Sequence, residues 1–252
     1  MKFASLGSGS RGNATIAEYA DTTILIDCGF SLKETTRRLE MLGHDAALLD
    51  AILVTHEHSD HIRGVGPLAR KHNIPVWATR GTASRADWGN ISEVNFFDVH
   101  HELNIQDLCV QPFPVPHDAR EPCQFVISDG DKRLGILTDT GSLTSHIEEQ
   151  LSGCDALILE CNHDEAMLAS GPYPPSLKDR VGGRFGHLSN RQSAELLDKL
   201  DTDRLKHLVA AHLSEENNSP DLAQLALSDV LGCEVHWVQV AKQDNVLDWC
   251  VI

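Results

Sequence analysis

The sequence is poor in basic side chains, with 21 lysines and arginines against 37 aspartates and glutamates among its 252 residues. The resulting formal charge of −16 excludes a protein that coats polyanions through its general surface charge. Any contact with nucleic acid must therefore come from a local basic patch or from bound metal ions. The hydrophobic fraction of 41% is ordinary for a globular chain, and a chain of this length can bury a substantial core.

Paired cysteines and long apolar segments are also missing. The seven cysteines include no Cys-x-x-Cys pair, and most of them lie in apolar surroundings, as buried thiols do. We therefore expect a protein of the reducing cytoplasm. The chain turns polar at Gly7 without the apolar core of a signal peptide, and no window reaches the length of a membrane span, so we expect no membrane partner.

The most informative segment is residues 55–61, Thr-His-Glu-His-Ser-Asp-His, which we call the histidine-rich loop. It follows a short apolar run that is typical of a buried strand. Alternate residues of an extended loop point the same way, so His56 and His58 converge on one point, while Asp60 and His61 lie at a predicted helix start and aim at a second. Imidazoles and carboxylates are the ligands that zinc or manganese takes. The alternative is a polar surface loop that is merely rich in histidine, but this spacing after a strand favours a metal site.

Three further candidate ligands, His117, Asp139 and His212, each follow a predicted strand. Loops at strand ends are where α/β folds place their chemistry. A single histidine at a strand end is usually an ordinary surface residue. The same arrangement at His56, His58 and these three positions is not expected by chance, and it strengthens the prediction of a metal site.

Other polar groups are placed where they can support these ligands. Residues 7–13 form a glycine-serine turn that either only reverses the chain or lines a phosphate or the histidine-rich loop with backbone N–H groups and Asn13. Asp27 ends a strand and can orient the loop by hydrogen bonds, or it can serve as a turn residue. Glu160 ends another strand and His163 and Asp164 follow it, and all three are candidates for supports of the ligands or for the pocket rim.

Strand patterns dominate both halves of the chain, with helical patterns between them. A capping box at Ser189 predicts a helix start, and residues 129–130 predict a hairpin turn. The apolar spacing predicts helices over 62–72 and 82–88, a strand over 235–240, and a long loop with a partial helix over 170–186. No repeat or linker interrupts the chain. We therefore expect residues 1–252 to form one α/β domain of two stacked mixed sheets, each covered by helices on its outer face.

The histidine-rich loop, followed in order by His117, Asp139 and His212, resembles the motifs of the metallo-β-lactamase superfamily, and Asp27 matches that superfamily's first motif. The resemblance covers essentially the whole chain. It implies a four-layer αββα sandwich with two divalent metal ions, Zn²⁺ or Mn²⁺. It also implies the ligand sets, which are His56, His58 and His117 for one metal and Asp60, His61 and His212 for the other, with Asp139 bridging them.

Several segments narrow the resemblance to the WalJ/YycJ subfamily of exonucleases, namely residues 7–13, 160–164, 171–174, 186–190 and 212–218. Residues 187–212 are also similar to tRNA 3′-processing enzymes, and Cys161 stands where the subfamily is expected to have serine. The resemblance implies a metal-dependent phosphodiesterase, specifically a 5′-to-3′ DNA exonuclease that uses a hydroxide activated by two metals. The alternatives are a small-molecule hydrolase that cleaves a thioester, lactone or cyclic nucleotide, and a scaffold protein that keeps the metal site for stability.

His187 lies two residues before the predicted helix cap Ser189, and helix N-termini bind phosphate readily. Together with the resemblance, this predicts that His187, Ser189 and Asn13 hold the scissile phosphate and that His187 donates a proton to the leaving oxygen. Asp60 and His187 are the candidate catalytic residues. Without the resemblance, His187 would be interpreted as a helix-entry residue that packs under the loop.

A local basic patch supplies the positive charge that the chain as a whole lacks. Residues 176–191 contain four basic side chains against Asp179 alone. We expect Arg180 and Arg184 of this patch to bind nucleic acid, with DNA favoured over RNA. No pattern in the sequence predicts the oligomeric state.

Overall fold

The computed structural model describes residues 1–252 and arranges 14 strands into two seven-stranded sheets. The first sheet contains β1 (Lys2–Gly7), β2 (Ala14–Tyr19), β3 (Thr22–Ile26), β4 (Ala51–Leu53), β5 (Val76–Ala78), β6 (Val94–Phe96) and β14 (Leu247–Val251). Its spatial order is β14-β1-β2-β3-β4-β5-β6. The strands from β14 to β3 pair antiparallel, and those from β3 to β6 pair parallel.

The second sheet is also mixed. It contains β7 (Leu103–Ile105), β8 (Leu108–Pro114), β9 (Cys123–Ser128), β10 (Arg133–Leu137), β11 (Ala156–Glu160), β12 (His207–Ala211) and β13 (Gln239–Val240). Its spatial order is β13-β12-β11-β10-β9-β8-β7. The strands from β7 to β10 pair antiparallel, and those from β10 to β13 pair parallel, so several strands carry their carboxyl ends to the same edge.

Nine α-helices connect and cover the sheets. They are α1 (Leu32–Met41), α2 (Ser59–Ile62), α3 (Val65–His72), α4 (Arg80–Arg85), α5 (Ser145–Leu151), α6 (Glu165–Ser170), α7 (Pro175–Val181), α8 (Asn190–Lys199) and α9 (Pro220–Leu231). None of them has both the length and the apolar composition needed to cross a membrane.

Three apolar clusters separate four layers of structure. The central cluster contains 22 buried residues drawn from both sheets. One outer cluster packs the first sheet against α1 and α3, and the other packs the second sheet against α5, α8 and α9. Strand residues alternate between clusters, since Ile24 and Ile26 of β3 face the other sheet while Leu25 faces the helices. The predicted four-layer αββα sandwich is confirmed.

Some predicted elements differ from the observed ones. The helix predicted over 62–72 starts earlier and is split into α2 and α3, because Gly64 lies against the backbone of residues 28–30 and donates its N–H to the Cys28 carbonyl at 2.7 Å. The helix predicted over 82–88 spans Arg80–Arg85, because the Thr79 hydroxyl caps it. Of the strand predicted over 235–240, only Gln239–Val240 pairs with β12, and the preceding residues form a 3₁₀ turn.

Backbone groups of three segments meet at Gly29 and hold the histidine-rich loop in place. The Gly29 N–H donates to the Asn13 carbonyl at 2.9 Å, and the Asn13 N–H donates to the Asp60 carbonyl at 2.8 Å. A Cβ atom added at Gly29 would overlap the Asp60 carbonyl oxygen. Glycine at this position therefore allows the glycine-serine turn, the end of β3 and the loop to approach one another.

We predict that Gly29→Ala lowers the free energy of unfolding by about 3 kcal/mol, because the neighbouring backbone has no room to shift. The matched control is Gly43→Ala, since a Cβ atom added at Gly43 would have no atom within 4 Å, and the φ of 72° at this position is the only cost of the substitution. The control should lose about 1 kcal/mol from the left-handed conformation alone. Urea unfolding measures both values, and equal losses would contradict the proposed overlap.

Candidate functional site

The predicted ligands lie together at one edge of the molecule, where strands of both sheets end. His56 follows β4, and His117, Asp139 and His212 follow β8, β10 and β12. Asp139 and His212 have left-handed backbone angles, with φ of 52° and 55°, and Asp27 after β3 has a φ of 59°. Residues other than glycine rarely adopt this conformation, and it turns the chain sharply where each strand ends. Such strained positions are typical of functional sites.

Three imidazoles form what we call the first ligand group, His56, His58 and His117. The His58 Nδ1 atom lies 3.1 Å from His56 Nε2 and 3.3 Å from His117 Nε2. Mutual hydrogen bonds cannot satisfy three ring nitrogens at once, because one shared hydrogen serves only one pair. A cation at their common focus would accept a lone pair from each ring, so this group can hold a metal ion.

The second ligand group consists of Asp60, His61 and His212. The Asp60 Oδ2 atom lies 3.4 Å from His61 Nε2 and 3.8 Å from His212 Nε2, so these donor atoms can also share a metal ion. Asp139 lies between the two groups. Its Oδ2 atom is 3.2 Å from His61 Nε2, and its Oδ1 atom is 3.9 Å from His117 Nε2. One carboxylate therefore reaches both groups.

The buried polar atoms of the site fit divalent cations better than they fit one another. The His212 Nδ1 atom lies 3.0 Å from Asp139 Oδ1, and the Asp139 Oδ2 atom lies 3.2 Å from His61 Nε2. Nevertheless, neither His212 Nδ1 nor Asp139 Oδ2 has a hydrogen-bond partner of its own. Unsatisfied buried polar atoms are costly, and metal coordination would satisfy them. A mixed set of imidazole and carboxylate donors suits a divalent transition metal.

Charge is distributed unevenly between the two ligand groups. Burial opposes ionisation of Asp139, but the facing His212 and His61 hold the pKa of its carboxyl well below the usual value. Burial likewise opposes protonation of His212, yet Asp139 raises its pKa to about 10. Burial, reinforced by His61, lowers the pKa of His56 well below its usual value and keeps that ring neutral. Because metal ligands must be deprotonated, a bound cation would replace the protons beside Asp139 and preserve the positive charge there.

Asp27 orients the histidine-rich loop from behind. Its Oδ2 atom accepts hydrogen bonds from His61 Nδ1 at 2.7 Å and from the Thr55 hydroxyl at 2.8 Å, and its Oδ1 atom accepts from the Thr55 N–H. With Nδ1 engaged, the Nε2 atom of His61 is directed toward the second ligand group. This is the arrangement by which a carboxylate usually fixes the ring of a metal-binding histidine.

Glu160 and His187 form a pair that sequence reasoning did not identify. Glu160 is fully buried at the end of β11, and its Oε1 atom accepts a hydrogen bond from His187 Nδ1 at 2.7 Å. The Oε2 atom accepts from the N–H groups of Thr140 and Leu188. Burial opposes ionisation of Glu160, but His187 outweighs it and lowers the pKa of this carboxyl to about 2. The sequence shows only an acidic residue at the end of an apolar strand, and no sequence signal identifies His187 as its hydrogen-bond partner.

A cavity of about 380 Å³ opens beside both ligand groups, and we call it the site cavity. Ligands from both groups line one side of it. Another side is lined by residues 171–186, which we call the covering segment and which carry α7. His187 and Arg180 also line the cavity, and Arg180 Nε donates to Asp118 Oδ2 at 2.7 Å. Two of the five predicted substrate contacts thus line the site cavity.

The other three predicted substrate contacts do not line the site cavity. The Asn13 Oδ1 atom accepts from the Gly9 N–H at 2.9 Å and its Nδ2 atom donates to Asp60 Oδ2 at 3.3 Å, so this side chain joins the glycine-serine turn to the second ligand group. The Ser189 hydroxyl accepts from the Gln192 N–H and caps α8 in the predicted capping box. The Arg184 side chain is exposed outside the cavity.

Comparisons with known proteins agree with this fold and site. Residues 22–212 match the model of the family described as "Beta-lactamase superfamily domain". Exodeoxyribonuclease YycJ of Bacillus anthracis is 37% identical over 235 residues, which cover 92% of this chain and 89% of that protein. Exodeoxyribonuclease WalJ of Streptococcus pneumoniae serotype 2 is 36% identical over 237 residues, which cover 92% of this chain and 88% of that protein.

Among solved structures, the metallo-β-lactamase fold protein YhfI from Bacillus subtilis superposes with a TM-score of 0.76 at 18% identity. The alignment covers 97% of this chain and 98% of that one, so it supports the fold over nearly the full length. The predicted resemblance is confirmed at both levels. The chain belongs to the metallo-β-lactamase superfamily, in the family that includes the exodeoxyribonucleases YycJ and WalJ.

Proposed function

We propose that this chain is a metal-dependent exonuclease that hydrolyses the phosphodiester bonds of DNA from 5′ to 3′. One arrangement carries the proposal, in which two ligand groups joined by Asp139 share a cavity with His187, whose ring is held by buried Glu160. Relatives named as exodeoxyribonucleases support the same activity. We take residues 1–252 as one domain, because the central cluster draws on both sheets, and as cytoplasmic, because all seven cysteines are free.

Each ligand group would hold one divalent cation, Zn²⁺ or Mn²⁺, and Asp139, whose carboxylate reaches both groups, would be a ligand common to the two. The short distances within each group support this assignment, as do the unsatisfied atoms of Asp139 and His212. A pair of such cations supplies a nucleophile at neutral pH and neutralises charge on the reacting phosphate.

The chain's own residues manage the protons of the reaction. The Nδ1 atom of His187 is bonded to Glu160, so the Nε2 atom is the ring nitrogen left to act on a substrate in the site cavity. We assign to His187 the donation of a proton to the leaving oxygen of the phosphodiester. Asp60 lines the same cavity, and its carboxylate can accept a proton from the attacking water. The buried carboxylate of Glu160 fixes the orientation of the His187 ring through its hydrogen bond to Nδ1.

Arg180 is the only lysine or arginine that lines the site cavity. Its ion pair with Asp118 holds the guanidinium at the cavity wall, where a phosphate oxygen of the substrate can share it. The net charge of −16 leaves little general attraction for DNA, so this local cation and the metal ions supply the phosphate contacts.

The experiment that tests the proposal measures the release of label from single- and double-stranded DNA and RNA labelled at either end, with Mn²⁺, Zn²⁺ or a chelator. We expect metal-dependent release of mononucleotides from DNA starting at the 5′ end. His187→Ala should lose at least about 100-fold in turnover while its metal content stays unchanged.

Two results would count against the proposal. Hydrolysis of a small thioester, lactone or cyclic nucleotide without cleavage of any nucleic acid would favour the small-molecule hydrolase. Full activity of the His187→Ala protein would remove His187 from the mechanism. Preferred cleavage of RNA would keep the phosphodiesterase activity and change the substrate.

We predict that Asp27→Asn weakens metal binding about 10- to 100-fold, because the amide cannot accept the His61 hydrogen bond as a carboxylate does. The matched control is Asp50→Asn, since Asp50 also accepts a backbone N–H, from Thr23, but precedes β4 at the end away from the ligands. Competition with a chromogenic chelator measures both affinities. Equal affinities for Asp27→Asn and wild type would show that the loop is oriented without this carboxylate.

We also predict that Arg180→Gln weakens oligonucleotide binding and reduces the slope of log K against log salt by about one phosphate contact. Arg184→Gln is the control, because that side chain belongs to the same basic patch but lies outside the site cavity. Fluorescence anisotropy at several salt concentrations gives the slopes. A larger change of the salt slope in the Arg184→Gln protein than in the Arg180→Gln protein would indicate that the nucleic acid binds along another part of the covering segment.

A further inference from the structure

An apolar face of the covering segment is turned toward the metal ligands. Tyr173, Leu177 and Val181 are spaced four residues apart and all line the site cavity. Leu177 and Val181 lie on one face of α7, and Tyr173 lies two residues before the start of that helix. No residue of α7 is fully buried, so this face is not packed into any of the three apolar clusters.

The site cavity therefore has two chemically different sides. Ligands such as Asp60, Asp139 and His212 supply charge on one side, and Tyr173 with its two aliphatic neighbours supplies apolar surface on another. Tyr173 carries the only benzene ring that lines the cavity. A nucleotide has the same division, because its phosphate is charged while its base has an apolar face that stacks on aromatic rings.

The covering segment is fixed at several points, so this wall is formed before a substrate binds. A Cβ atom added at Gly171 would crowd the side chain of Asn217, which is fully buried. At the other end, Gly141 packs directly on the backbone of residues 183–186. Between them, the Arg180–Asp118 ion pair ties α7 to the loop that follows β8. A preformed wall costs little ordering entropy when a ligand binds.

We propose that Tyr173 stacks on the nucleobase of the terminal nucleotide and that the site accepts an unpaired end, one nucleotide at a time. This inference rests on the proposed nuclease function and names the part of the substrate that the covering segment recognises. The cavity volume of about 380 Å³ lies near the lower limit of ligand pockets, and this size favours a single nucleotide over a base pair. A paired end must fray before it can enter.

The test compares two oligonucleotides, one with normal ends and one with an abasic residue at each terminus, so the polarity of cleavage does not matter. Wild type should release the normal terminal nucleotide faster than the abasic one. Tyr173→Ala should lose about 5- to 100-fold in kcat/KM on the normal end only, which is the range expected for one base–aromatic stack. Tyr173→Phe keeps the aromatic ring and should still cleave the normal end faster than the abasic end.

Phe185→Ala is the matched control, because Phe185 is an exposed aromatic residue of the same segment that does not line the cavity. It should cleave both oligonucleotides as wild type does. An equal loss on both oligonucleotides in Tyr173→Ala would indicate a packing role and overturn the inference. So would a wild-type enzyme that does not distinguish the two ends.

A binding measurement separates failure of this inference from failure of the proposed function. If wild type cleaves neither oligonucleotide, the nuclease proposal fails, and calorimetry with deoxyadenosine monophosphate and with 2-deoxyribose 5-phosphate tests Tyr173 directly. Weaker binding of the nucleotide alone in Tyr173→Ala would support stacking. The same change for both compounds, or no change for either, would refute it.

Discussion

The site depends on one buried carboxylate, Asp139, because a carboxylate that is 2% exposed is stable only beside positive charge. That charge comes from the imidazoles around it, and these are held by further carboxylates. The result is a continuous series in which acid and imidazole alternate, in the order Asp27, His61, Asp139, His212, Glu160 and His187, and all members except His187 are buried. Neighbours in the series are 2.7 to 3.6 Å apart, so the removal of one member leaves the next without its partner.

The frame around this series is rigid backbone rather than mobile loop. Asp27, Asp139 and His212 leave their strands through left-handed turns, and Gly29 lets the histidine-rich loop lie directly on neighbouring backbone. Side chains that start from sheet edges in fixed directions lose little freedom when they converge. The strain of the turns is balanced by parallel pairing of the strands behind them and by the central cluster of 22 buried residues.

The same edge of the sandwich explains how an acidic protein can act on a polyanion. The proposed metal ions and Arg180 would concentrate positive charge at the site cavity of a chain whose net charge is −16. The covering segment adds apolar side chains to the lining, so the phosphate and the base of a bound nucleotide would meet different kinds of surface. Phosphate contacts position a nucleic acid without reading its sequence, and stacking accepts any base, so this division suits an enzyme that acts on any end.

The candidate metal ligands of the histidine-rich loop and the layered fold could be predicted from the sequence, because both follow from local spacing. The histidine-rich loop needs only an extended chain and a helix start to aim His56 and His58 at one point, and continuous apolar runs are typical of strands that are buried on both faces. The partner of His187 was decided by tertiary structure. Glu160 meets His187 across 27 residues because β11 ends beside that loop. The break in the helix at Gly64 likewise depends on backbone 36 residues earlier, at Cys28. No local pattern encodes such contacts, since they form only when distant segments are packed together.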